Sequence, residues 1–180
     1  MQRQLIGKKG IGAVVGRVLL VWLATCLLGG ATPASSGIAP SLVGTWQLES
    51  RIDRTVDGRE LVEPSLGRDP IGLLIYDGRG HVAAQLMRRD RSQPLPQAPV
   101  SADPNNSVAQ GGYDAYLGHY VVEGNTVTHF LEAALNPKDV GHRLTRNFRF
   151  EGDKLIIYFT ALEADGTPVT RTLTWQRVAP

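Results

Sequence analysis

The feature that most constrains this chain is a repeated punctuation of short polar turns. Asp57-Gly58, Asp77-Gly78-Arg79-Gly80, Glu123-Gly124-Asn125, Glu151-Gly152-Asp153 and Asp165-Gly166 recur along the sequence. Glycine supplies the positive φ that hairpin turns demand, so each cluster reads as a reversal between two strands. The runs between them are β-rich and predict strands over Gly44–Thr55, Ile71–Tyr76, His81–Met87, Ala115–Val122, Thr126–Ala133, Arg143–Phe150, Lys154–Ala161 and Val169–Val178, with a short one near Arg59–Val62. Several alternate. From Val169 to Arg177 the threonines share one face, and Leu173 and Trp175 the other; Phe148 and Phe150 face together, away from Asn147 and Arg149. Such alternation buries one side of a sheet and wets the other. No long helical periodicity interrupts the strands. An all-β antiparallel meander is expected, closed into a barrel of roughly eight to ten strands because closure removes exposed edges. A flattened β-sandwich is the architectural alternative.

Charge divides the chain unevenly. The whole sequence carries 19 Lys and Arg against 17 Asp and Glu, but Arg3, Lys8, Lys9 and Arg17 lie in the first 34 residues, where there is no acid. Beyond them the balance is 15 to 17, a net of −2, which removes the case for a nucleic-acid partner. Residues 1–34 run from basic through the apolar stretch Val18–Leu28 to small residues ending at Ala34, the order of an export signal. The protein is therefore expected to be periplasmic or extracellular. A retained membrane anchor is the alternative, although the apolar run is short for a bilayer. Cys26 is the only cysteine; Leu23-Ala24-Thr25-Cys26 resembles a lipobox, which would make the chain a lipoprotein, while the plainer reading makes Cys26 one more apolar residue of the signal. Residues 35–40 read as a lead-in and 41–179 as the barrel domain. A loop over 90–110, holding Pro94, Pro96, Pro99 and Pro104, breaks the strand pattern because proline cannot donate to a sheet ladder. It reads as a mobile surface loop or a cover over the barrel mouth.

Gly44-Thr45-Trp46, opening the domain, resembles the G-x-W signature of lipocalins. The resemblance implies a tryptophan plugging one end of a barrel and an arginine of the last strand packed across it, here Trp46 and Arg177, with Gly44 completing the closure. A broader pattern is similar to the bacterial and fungal lipocalin-like domain family. Its segments are Leu42–Trp46, Asp69–Tyr76, Gly80–Arg88, Tyr113–Tyr120, Thr126–His129 and Leu135-Asn136-Pro137 with Gly141. What this implies is a small calyx-like barrel, with the Pro-rich insertion after Arg88 and the export segment as departures.

Within that frame, His129 lies on the face of Val127 and Leu131 and is either an acid–base or ligand-binding group or a core histidine satisfied by a Tyr or by Asn136. Arg146 shares a face with Phe148 and Phe150; it would hold a ligand carboxylate or pair with an acid such as Glu132. Gln85 alternates with Ala83 and Met87 and is expected on a cavity wall. Tyr76, Tyr113, Tyr116, Tyr120 and Tyr158 offer an aromatic lining suited to an amphipathic ligand. Gly118, between Tyr116 and Tyr120, leaves room for a ligand or for another backbone. The four histidines show no metal-ligand spacing, there is no G-x-S-x-G elbow, and the Gly- and Lys-rich stretch Gly7–Gly12 has no strand before it. No metal or cofactor is expected. The Arg88-Arg89-Asp90-Arg91 run reads first as a solvated strand end.

These observations favour a binding protein for a small hydrophobic or amphipathic molecule, with Tyr76, Gln85, Tyr116, Tyr120, His129, Asn136 and Arg146 at the site. The alternative is an isomerase or cyclase working through His129 with Tyr120, Asn136 or Arg146. A third reading, an envelope protein that binds nothing, would be favoured by a cavity under roughly 300 Å³.

Overall fold

A computed structural model describes residues 42–92, 94–95 and 103–178. The expected export segment 1–34, Cys26 within it, the lead-in 35–40 and residues 93 and 96–102 of the 90–110 loop lie outside the described residues. The strands are β1 Gly44–Thr55, β2 Glu60–Leu61, β3 Ile71–Tyr76, β4 His81–Met87, β5 Tyr113–Glu123, β6 Thr126–Ala134, β7 Arg143–Glu151, β8 Lys154–Leu162 and β9 Pro168–Arg177. The expected strand near Arg59–Val62 shrinks to two residues, and a 3-10 turn at Pro137–Asp139 had no counterpart in the sequence reading.

The chain is an all-β antiparallel barrel. Each strand from β3 to β9 pairs with the next, β1 pairs with β3 on one side and with β9 on the other, and β2 is an extra strand on the far half of β1. The β1–β9 pairing, from Trp46↔Arg177 to Thr55↔Val169, closes the cylinder. Alternate residues of each strand point inward, and Leu74, Val127, Leu144, Leu155 and Val169 are buried almost completely. Burial of that apolar surface is the main force holding the barrel together.

One end is sealed by the first and last strands. Trp46 is 0 % exposed, and its Nε1 donates to the Leu42 carbonyl at 2.9 Å. The Arg177 guanidinium lies 4.0 Å from the Trp46 ring centroid, and its Nη1 donates to the Val43 carbonyl at 2.9 Å. A cation over an indole face is favoured by the ring quadrupole. The same geometry explains the glycine two residues before the tryptophan: Gly44 has φ 147°, and a Cβ there would sit 2.5 Å from Arg177 Nη1. Phe150 packs against Trp46 with ring centroids 6.0 Å apart.

Two irregularities decide what faces the interior. In β1 the register with β9 shifts between Leu48 and Ser50, so inward positions pass from Trp46 and Leu48 to Arg51, Asp53 and Thr55. A bulge of this kind moves every later side chain to the opposite face. In β5 the register with β6 shifts between Leu117 and Gly118. A Cβ on Gly118 would lie 1.9 Å from the Phe130 carbonyl oxygen, so the bare glycine admits a neighbouring backbone rather than a ligand.

Candidate functional site

Toward the end opposite Trp46 the barrel encloses a cavity of about 490 Å³. Leu74, Ala84, Leu86, Ile157, Phe159 and Leu173 form much of its apolar wall. Against that wall stand His129, Tyr116, Arg146, Arg171, Arg51 and Asp114. Inward positions on β5, β6 and β7 deliver the first three, because Tyr116 precedes the β5 irregularity while Val127, His129 and Leu131 share one face of β6, and Leu144, Arg146 and Phe148 one face of β7.

His129 is 2 % exposed and has a tyrosine hydroxyl on each ring nitrogen: Tyr76 Oη at 2.7 Å from Nε2 and Tyr116 Oη at 3.0 Å from Nδ1. Burial, reinforced by the nearby Arg146 charge, pushes its pKa down to about 3, so the ring is neutral near pH 7. Burial likewise raises the pKa values of both tyrosines, which keep their protons. The Arg146 guanidinium is 3.5 Å from the Phe159 ring centroid, and its Nη1 donates to the carbonyls of Asn105 and Thr145 and to Asn105 Oδ1. Burial lowers its pKa to about 10, which leaves it charged near neutral pH. No carboxylate among the described residues pairs with it; Glu132, the partner considered from sequence, bonds His119 on the outer surface instead.

Arg171 and Arg51 differ from Arg146 in being neutralised. Arg171 Nε and Nη2 grip both oxygens of Asp53, a residue 2 % exposed, and Nη2 also lies 3.6 Å from Glu163. Arg51 Nη2 reaches Asp53 at 3.2 Å, and its Nη1 lies 3.8 Å from Glu63. Burial alone would push the Asp53 carboxyl up, but the Arg171 hydrogen bonds and the Arg51 and Arg171 charges outweigh it and hold the pKa below the usual carboxylate value. Residues 103–110 cross this end and are tied down at several points. Asn105 Oδ1 accepts from Thr145 N, Asn106 Oδ1 from Arg171 Nη1, and Asp139 from Val108 N; Ser107 Oγ donates to Asp114. Two buried donors on cavity-lining residues, Arg51 Nε and Trp175 Nε1, have no acceptor among the described residues.

The structure therefore brings Tyr116, His129 and Arg146 to the cavity, with Tyr76 directly behind His129. It separates the other candidates. Gln85 is exposed: Val82, Ala84 and Leu86 fill the inner face of β4, and Gln85 Oε1 accepts from Tyr113 on the outside, so the expectation of a wall position for Gln85 is corrected. Asn136 caps the 3-10 turn through Lys138 N and donates to Asp139, away from the cavity lining. Tyr120 is buried toward the sealed end and donates to the Asp77 carbonyl. Tyr158 is outside, under the Arg149 guanidinium. The sequence reading missed Asp53, Arg51 and Arg171. Arg171 carried a signal, a charge on the same face as Val169, Leu173 and Trp175; Asp53 and Arg51 were hidden by the β1 bulge. Among the described residues no group of three His, Cys, Asp or Glu side chains could hold a metal ion.

The chain matches the family model of a lipocalin-like domain over residues 43–178. No curated protein matches the chain. Two of the solved structures that it resembles, both at low identity, illustrate the likeness. One is the zebrafish ileal bile acid-binding protein in complex with cholic acid, with 18 % identity, TM-score 0.37, and coverage of 77 % of this chain and 99 % of that one. The other is a protein of M. tuberculosis, with 13 % identity, TM-score 0.34, and coverage of 78 % and 94 %. At such TM-scores neither likeness says anything about ligand or chemistry. The match along β1 to β9, Trp46 and Arg177 included, makes this chain a member of the lipocalin-like domain family.

Proposed function

We propose that the barrel binds one small amphipathic molecule in the cavity beside Tyr116, His129 and Arg146. The observation that carries this reading is the cavity itself, about 490 Å³ with an apolar wall and a few converging polar groups. Ligand sites typically occupy roughly 300–1,000 Å³ and combine those two features. Native mass spectrometry of the purified full-length protein, followed by solvent extraction, tests for a carried ligand. Titration with the uncharged fluorescent amphiphile N-phenyl-naphthylamine tests for binding directly. Filling the cavity through Ala84→Phe, or through Ala109→Trp at its half-buried rim, is expected to weaken the dye at least about tenfold with folding retained. No dye binding by the folded wild type would sink the reading.

Acid–base catalysis by His129, the basis of the isomerase or cyclase alternative, draws no support from the geometry. Both ring nitrogens are engaged by tyrosines, and a group with a pKa of about 3 takes up no proton near neutral pH. We also read residues 1–34 as an export signal, on the order of basic, apolar and small residues. N-terminal sequencing of the protein from its native host is expected to begin near residue 35, or at a lipid-modified Cys26; a chain still beginning at Met1 would overturn this.

A further inference from the structure

The hydrogen-bond chain through His129 has a direction, and that direction says what the cavity presents to a ligand. Tyr76 is 1 % exposed, and among the described residues the only hydrogen bond of its hydroxyl is the one to His129 Nε2. A neutral imidazole carries one proton, so one ring nitrogen donates and the other accepts. If Nε2 carried the proton, it would donate to Tyr76 Oη, and the Tyr76 hydroxyl hydrogen would be left without an acceptor in the sealed interior. A buried unsatisfied donor is costly, whereas an unused lone pair on a hydroxyl oxygen is cheap. The proton therefore sits on Nδ1. Tyr76 donates to Nε2, Nδ1 donates to Tyr116 Oη, and the Tyr116 hydroxyl hydrogen remains for the cavity that Tyr116 lines.

Arg146 makes the same kind of offer. All three of its hydrogen bonds leave from Nη1, and Nε and Nη2 have no partner among the described residues. Among the described residues it is also the cavity arginine with no carboxylate in ion-pair contact, Asp103 acting on it only at longer range, whereas Arg171 and Arg51 share Asp53 and lean on Glu163 and Glu63. The site thus lacks an acceptor-only group with one negative charge. Building on the reading of the cavity as an amphiphile site, we infer that the ligand's polar end is a carboxylate, received by the Arg146 Nε and Nη2 fork and by the Tyr116 hydroxyl, with its apolar part along Leu74, Ala84 and Ile157. A planar carboxylate matches two parallel N–H donors of a guanidinium. A phosphate dianion would bring a second charge, and the other cavity-lining arginines among the described residues are already paired with carboxylates.

The test displaces N-phenyl-naphthylamine from the full-length protein with dodecanoate, dodecanol and dodecylammonium. Dodecanoate is expected to bind at least about tenfold tighter than dodecanol, and dodecylammonium weakest. Arg146→Gln and, independently, Tyr116→Phe are expected to remove most of the preference for dodecanoate over dodecanol. Arg146→Lys, which keeps charge and loses the fork, serves if the glutamine variant fails to fold. Dodecanol binding as tightly as dodecanoate would overturn the carboxylate inference and leave the amphiphile reading standing. Displacement by none of the three would remove both. Nitrogen-15 NMR of His129 is expected to report the Nδ1–H tautomer; an Nε2–H signal would overturn the direction of the chain.

Discussion

The two ends of this barrel solve opposite problems with the same residue types. At the sealed end an arginine and aromatic rings finish a dry core: Arg177 covers Trp46, its Nη1 takes the Val43 carbonyl, and Phe150 packs alongside. At the cavity end Arg171 and Arg51 converge on Asp53, Arg146 lies over Phe159, and space remains between them. An arginine on an aromatic ring is a plug where the backbone supplies its acceptors and glycine clears its path. On our proposal it is a ligand group where part of its donor fork is left over. The partners, not the residue, set the role.

The largest effect should come from breaking the sealed end. Trp46→Ala removes a fully buried indole, its hydrogen bond and the platform under Arg177. A loss of about 3–5 kcal/mol in unfolding free energy is expected from urea denaturation. A loss under about 1 kcal/mol would mean that the plug is ornamental.

Next comes the charge cluster. Asp53→Asn leaves Arg171 and Arg51 buried with weaker acceptors, and about 3 kcal/mol of stability should go with it. Because the Asp53 pKa is held below its unfolded value, the stability it contributes is present above about pH 4 and is lost as the pH falls through the folded value. The asparagine variant should therefore lose the part of the wild type's acid sensitivity below pH 4 that Asp53 contributes, while the part linked to His129 remains. If instead Asp53→Asn strengthened dodecanoate binding at little cost in stability, the cluster would belong to the ligand site and the contrast between the ends would blur.

How much of this was legible in the sequence follows from where the phase is continuous. Turn glycines and simple alternation located β1, β3 and β4 with the observed ends, and Gly44, Trp46 and Arg177 needed no tertiary information beyond the family pattern. His129 and Arg146 were also readable, since β6 and β7 alternate without interruption through them. The mouth cluster was not. Counting by twos from Trp46 puts Ser50 and Ile52 inside; one bulge substitutes Arg51 and Asp53, and the partner Arg171 is 118 residues away. Gln85 failed for another reason. Both faces of β4 hold small or apolar residues, and only pairing of Ala84 with Leu74 and Tyr116 decides which one turns inward.

His129 lies between the two regimes, packed like core yet lining the cavity, and its titration separates the two descriptions. Its folded pKa of about 3 is below the unfolded value near 6.5, so the unfolded chain binds the proton first. The stability linked to it is complete above about pH 6.5 and falls as the pH drops toward 3, by up to about 1.4 kcal/mol per pH unit. Asp114 and Glu163 slope the other way, because burial raises both, but they remain in a His129→Gln variant and cancel in the difference. The difference in unfolding free energy between wild type and His129→Gln should therefore shrink from pH 7 to pH 4. A difference independent of pH would mean that His129 titrates normally, in contact with water.

The smallest expected effect bounds the site. Gln85 is exposed on the outer face of β4, opposite Ala115 on β5, with one hydrogen bond from the Tyr113 hydroxyl. Gln85→Ala removes that exposed bond and no packing, so stability should change by less than about 0.5 kcal/mol. Dodecanoate affinity should not move, since Ala84 and Leu86, not Gln85, present their side chains to the cavity. Conversely, Leu86→Ala on the inner face enlarges the cavity wall by one side chain and should cost about 2–3 kcal/mol while altering affinity. Two adjacent residues of one strand thus give opposite readouts. If Gln85→Ala altered affinity as much as Leu86→Ala did, β4 would have to turn its other face to the ligand, and the cavity drawn by Tyr116, His129 and Arg146 would be in the wrong place.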